Sequence, residues 1–84
     1  MIKVFLTKRF QKSFEKLDKI TQKRVKSAID AIRENSQSGK RLTGPLVGDY
    51  SYRVGDYRII YLVEAGNIWL ETVTHRREVY KRRG

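Results

Sequence analysis

The sequence predicts an α+β fold: an antiparallel β-sheet with an N-terminal α-helical hairpin packed on one face, in the order β-α-α-β-β-β with a short C-terminal helix or tail. Three observations predict it. Apolar residues recur at helical spacing from Phe10 to Ile32. From Tyr50 onward they alternate at strand spacing instead. Gly55-Asp56 and Ala65-Gly66 then stand as tight turns between three consecutive strands, which is a meander.

The elements follow in order. Residues Ile2 to Leu6 read as a first strand. Thr7 is placed to cap a helix that starts near Lys8, because its side-chain oxygen can accept from a free N–H of the first turn. Phe10, Phe14 and Leu17 form the apolar face of that helix, and Lys8, Arg9, Lys12 and Lys16 occupy the rest. Asp18-Lys19-Ile20 reads as a short break, with Thr21 capping a second helix whose buried stripe is Val25, Ala28, Ile29 and Ile32. So short a connection predicts an antiparallel helix pair. Both stripes read as core and carry no chemistry. Asn35 to Gly48 reads as irregular, since Gly39, Gly44, Pro45 and Gly48 interrupt any long element. Tyr50–Val54, Tyr57–Glu64 and Asn67–Val73 are the remaining strands.

A two-residue turn fixes register. Val54 then opposes Tyr57, and Arg53 opposes Arg58. Followed onward, one sheet face carries Tyr50, Tyr52, Val54, Tyr57, Ile59, Tyr61, Val63, Ile68, Leu70 and Thr72, and is expected to meet the helices. The other carries Ser51, Arg53, Arg58, Ile60, Leu62, Trp69, Glu71 and Val73, joined by His75 if the last strand continues. This second face is apolar toward one end and cationic toward the other.

The 84 residues fit one domain spanning 1–84. There is no cysteine, which removes disulfides and thiolate metal sites and fits a cytoplasmic protein. No apolar run is long enough to cross a membrane, and the charged start does not resemble a signal peptide. The net charge is +10, from 19 Lys and Arg against 9 Asp and Glu. Such a field attracts nucleic acid or an acidic protein. The excess is uneven: Arg76, Arg77, Lys81, Arg82 and Arg83 crowd the last ten residues against Glu78 alone.

Two arginines directly across an antiparallel pair repel each other. A paired guanidinium site suits a phosphate, so Arg53 and Arg58 are the first candidates for chemistry. The competing structural reading pairs each with a carboxylate such as Asp56 or Glu71. His75, the sole histidine, suits a general acid or a phosphate ligand, or else is an exposed strand end. Tyr80 stands among cations that favour its phenolate, so it suits proton transfer, or a base stacked on its ring, or simple docking of the C-terminal segment. Lys40 and Arg41, with Arg76, Arg77, Lys81, Arg82 and Arg83, are further cations that suit binding of RNA. One histidine, no cysteine and scattered carboxylates build no metal site, and no glycine-rich nucleotide loop is present, so neither metal nor cofactor is expected.

Taken together, these residues resemble the RelE/ParE toxin superfamily of type II toxin–antitoxin systems, on the RelE side. The resemblance runs over nearly the whole chain. It is carried by Phe10-x-x-x-Phe14-x-x-Leu17, by Gly39-Lys40-Arg41-Leu42 with Leu46-x-Gly48, by the segment Tyr50 to Tyr61, and by His75-Arg76-Arg77-Glu78-Val79-Tyr80. It implies an mRNA interferase, an endoribonuclease that cuts mRNA in the ribosomal A site by metal-independent attack of the ribose 2′-OH. It further implies a cognate antitoxin, the ribosome and mRNA as partners, and catalytic roles for Arg53, Arg58, His75 and Tyr80. Where well-known members carry sheet lysines as candidate bases, this chain has Arg53 and then Gly55, and arginine is a poor base because its guanidinium stays protonated. Two other functions compete: a non-enzymatic gyrase inhibitor like ParE, and a basic RNA-binding module that does not cleave.

Overall fold

The computed structural model describes residues 2–36, 39–41 and 49–75. The chain runs through β1 (Val4–Leu6), α1 (Lys8–Glu15), α2 (Lys19–Glu34), β2 (Lys40–Arg41), β3 (Asp49–Val54), β4 (Tyr57–Glu64) and β5 (Asn67–His75). The strands make one five-stranded sheet in the order β1-β5-β4-β3-β2. The predicted α+β architecture with an antiparallel meander is present, and two strands extend it. The edge strand β1 runs parallel to β5, which makes the sheet mixed, with Phe5 across from Trp69 and Leu6 across from Leu70. Lys40 and Arg41, read as loop from the sequence, pair antiparallel with Ser51 and Tyr50. A two-residue strand has no periodicity to reveal it; its pairing comes from β3.

Thr7 caps α1 as expected: its hydroxyl oxygen accepts from the Phe10 N–H at 3.1 Å. It also lies 2.8 Å from the Leu70 carbonyl and 3.0 Å from that of Glu71, so the same side chain fastens the start of α1 to β5. Ser13 continues this link by accepting from the Val73 N–H at 3.1 Å, which satisfies a β5 edge donor beyond the end of β1. The second helix begins earlier than the sequence reading placed it. Asp18, not Thr21, is the N-cap, and Thr21 offers both its N–H and its hydroxyl to the Asp18 carboxylate. Asp is the stronger cap. Exposed Ile20 lies outside the apolar stripe, so the stripe hides this first turn.

Phe10, Val25, Ala28 and Ile32 from the helices pack with Val54, Ile59, Tyr61, Ile68, Leu70 and Val73 from the sheet. Phe14, Leu17 and Ile29, expected to be buried, are only partly so and flank this core.

A bulge in β5 changes which residues share a face. Tyr61 pairs with Leu70 and Ile60 with Thr72, which leaves Glu71 as the extra residue. Beyond it the alternation shifts by one. Val73 pairs with Ile59 and His75 with Tyr57, on the core side, while Thr72 and Thr74 lie across from Ile60 and Arg58. The sequence reading, which ran β5 without a bulge, had Thr72 on the helix side and Val73 and His75 opposite. The buried Val73 corrects it.

Candidate functional site

The face turned away from the helices is laid out in three rows across β3, β4 and β5. The first, next to the hairpin turn, is Arg53, Arg58 and Thr74. The two arginines stand directly across from each other, in the register that the Gly55-Asp56 turn imposes. Gly55 holds a φ of +60°, which suits a residue without a Cβ. Arg53 donates from Nε to the Gly55 carbonyl at 3.1 Å, and Arg58 donates to Ser51 Oγ at 3.3 Å. Among the described residues neither has a carboxylate in an ion pair, so the like-charge pair remains uncompensated by them. A third cation lies close by. The guanidinium of Arg24 on α2 is 3.8 Å from where a Cβ at Gly55 would stand. No local pattern signals this, because Arg24 sits on the polar side of its helix like any solvated residue.

Thr74 completes the row. It is 8% exposed, and its hydroxyl has no hydrogen-bond partner among the described residues.

Glu71, considered from sequence as a partner for the arginines, is occupied elsewhere. Placed by the bulge in the middle row, it hydrogen-bonds with the carboxyl of Asp49, and burial, that bond and the Asp49 charge push its pKa up to about 7 against a smaller opposing effect of Arg9. Glu71 thus keeps its proton toward neutrality beside the Asp49 carboxyl, with Ile60 and Leu62 of β4 between their strands. The third row is Asp49, Leu62 and Trp69, and is apolar toward β5. Trp69 lies across from Leu62 and stacks on Phe5 of β1 with ring centroids 4.3 Å apart.

The remaining predicted residues divide as follows. His75 meets Tyr57 edge to face at 5.2 Å, on the side of the sheet opposite the arginines. Lys40 and Arg41 form β2, with Lys40 in register with Ser51. Arg76, Arg77, Tyr80, Lys81, Arg82 and Arg83, together with the expected C-terminal helix or tail, lie outside the described residues.

Residues 4–80 match the family model described as the ParE toxin of the type II toxin–antitoxin system parDE. The chain belongs to this toxin family. Solved structures agree. The chain is similar to the toxin of the RelB–RelE antitoxin–toxin complex from Methanococcus jannaschii, at 26% identity and a TM-score of 0.77, covering 93% of this chain and 96% of that one. It is also similar to the toxin–antitoxin complex RelBE2 from Mycobacterium tuberculosis, at 26% identity and a TM-score of 0.67, covering 89% and 98%. The intact E. coli RelBE complex shares the fold at 15% identity, with a TM-score of 0.77 and coverage of 89% and 96%. No curated protein matches the chain. It is thus a toxin of a type II toxin–antitoxin system with a RelE-like fold. No helix among the described residues is long and apolar enough to cross a membrane.

Proposed function

We propose that this toxin is a ribosome-dependent endoribonuclease that cuts mRNA in the A site of cytoplasmic ribosomes. The observation that carries the reading is the Arg53–Arg58 pair: two guanidiniums opposed on one sheet face, without a carboxylate partner among the described residues. Such a pair is destabilising unless it receives an anion, and a phosphate of the RNA backbone is the anion it fits. The similarity to toxins of RelB–RelE complexes supports the same reading.

In the reaction, the ribose 2′ oxygen attacks the adjacent phosphorus and the bond from phosphorus to the 5′ oxygen breaks. The products are a 2′,3′-cyclic phosphate and a 5′-hydroxyl. Arg53 and Arg58 neutralise the charge that builds on the phosphorane oxygens. Neither accepts a proton at neutral pH. Tyr80 is assigned the proton transfer, because its phenol stands in a cationic segment. His75, held against Tyr57 on the other side of the sheet, is assigned a supporting place at the rim. The partners in this reading are the ribosome, mRNA and a cognate antitoxin that covers the cationic face.

The test is primer extension on mRNA from a translating extract given the purified chain. Codon-phased cuts are expected, and Tyr80→Phe is expected to lower their yield by about a hundredfold or more, as for losing an acid or base. The match to the ParE family favours a second reading, inhibition of DNA gyrase without catalysis. Intact mRNA accompanied by a supercoiling defect would select it.

A further inference from the structure

The Trp69–Phe5 stack is unusual for a sheet surface. Trp69 is 38% exposed although it is the largest apolar side chain in the protein. It stacks on Phe5, with centroids 4.3 Å apart and planes inclined by only 17°. It lies on the same face as the arginine pair, because Leu62, its partner across the strands, alternates with Ile60 and Arg58 along β4. Leu62 is four positions from Arg58, which is about 13 Å of strand. One face therefore offers a cationic row at one end and an open aromatic surface at the other.

We propose that the Trp69–Phe5 pair is a stacking platform for a base of single-stranded RNA whose backbone phosphate is held at Arg53 and Arg58. This deepens the RNA-cleaving reading and rests on it for the choice of ligand. A single strand presents both features that this face can use, phosphates and π-faces, at separations that a short extended run spans. The net charge of +10 favours the same occupant. Glu71 lies between the two ends, and Asp49 lies in the aromatic row, across Leu62 from Trp69. The Glu71 proton reduces the negative charge that a passing backbone meets, and the oxygens of both carboxyls are acceptors for exocyclic amines of bases.

Trp69 is the only tryptophan, so its emission reports the contact directly in the unaltered protein. The probe is a labelled cytidine hexaribonucleotide, 2′-O-methylated so that it cannot be cut, titrated at low salt beside an abasic strand of equal length. Binding is read by anisotropy of the label and stacking by tryptophan emission. The cytidine strand is expected to bind and quench; the abasic strand is expected to bind more weakly and leave emission unchanged. Trp69→Ala is expected to weaken the cytidine strand by about 5- to 150-fold, the range for losing one stacked base, and Trp69→Phe to retain most of the affinity. Should Trp69→Ala fail to fold, the unaltered protein still decides. No binding, binding without quenching, or full affinity in a folded Trp69→Ala protein would overturn the platform. So would emission that responds to an acidic antitoxin peptide and not to RNA. The outcome is separable from the cleavage assay: quenching without cuts in the extract removes the nuclease and keeps the platform, whereas cuts without quenching do the reverse.

Discussion

At the scale of single residues, the arginine pair and the carboxyl pair answer different questions. Arg53 and Arg58 contribute repulsion to the hairpin, so removing either leaves the fold intact or slightly more stable. Arg58→Ala is expected to lower mRNA cleavage by roughly tenfold to a thousandfold, the range for losing a charge that stabilises a transition state, while urea denaturation shows no loss of stability. Arg53→Ala should cost less, since Arg53 is exposed and Arg58 is anchored on Ser51. Full cleavage by the double mutant removes the pair from the chemistry. Glu71 makes a prediction about pH. Its ordinary value of 4.5 applies to the unfolded chain, and its folded value is about 7. Between these values the folded state holds more of the proton, so stability falls as pH rises from about 4.5 to about 7 and is level above that. Glu71→Gln removes this dependence. The difference in unfolding free energy between the two proteins should grow in favour of the variant across that window. A constant difference from pH 4 to 8 would show that the Asp49–Glu71 contact does not hold the proton.

At the scale of elements, the hydroxyl of Tyr61 ties β4 to the segment between α2 and β2. It donates to the Ser36 carbonyl at 2.9 Å and accepts from the Gly39 N–H at 3.0 Å, in a side chain with no exposed surface. Tyr61→Phe leaves the half-buried Ser36 carbonyl and Gly39 N–H without this partner and is expected to cost about 1–3 kcal/mol in urea denaturation. Gly39→Ala attacks the same contact from the other side, because a Cβ there would stand 2.6 Å from the Tyr61 hydroxyl and 3.0 Å from the Ser51 carbonyl. It is expected to cost about 1–3 kcal/mol, as overpacking does. This contact also shows what was legible in the sequence. Helices, turn positions and the Arg53–Arg58 register follow from local rules: periodicity, capping residues and a two-residue turn. β2, the parallel edge strand and the bulge depend on partners far along the chain, and no local pattern announces them. The bulge mattered most. One unpaired residue, Glu71, moved Val73 and His75 to the core side and brought Thr74 beside Arg58. The Asp49–Glu71 pair was illegible for the same reason, since it joins residues 22 apart across an intervening strand.

At the scale of the whole molecule, charge and exposed apolar surface together define what the antitoxin must be. The net charge of +10 favours an acidic partner, and half-exposed Leu6 and Trp69 need apolar cover that this chain does not supply from its described residues. A segment that is acidic, partly apolar and disordered when free meets both needs by folding onto the toxin. The two contributions separate by salt. Electrostatic steering raises association toward about 10⁸ M⁻¹s⁻¹ or more at low salt, from about 10⁵–10⁶ without it, and screening removes that gain. Apolar burial governs dissociation and responds little to salt. Stopped-flow measurements with a peptide of the antitoxin should therefore show the association rate falling by about tenfold or more from 50 mM to 500 mM salt, in line with this screening, and the dissociation rate changing far less. If the salt dependence appears in dissociation instead, the complex is held by desolvated ion pairs, and the arginine face is its principal anchor. If neither rate responds, the charge of this toxin does not serve its antitoxin and is left for the proposed RNA target.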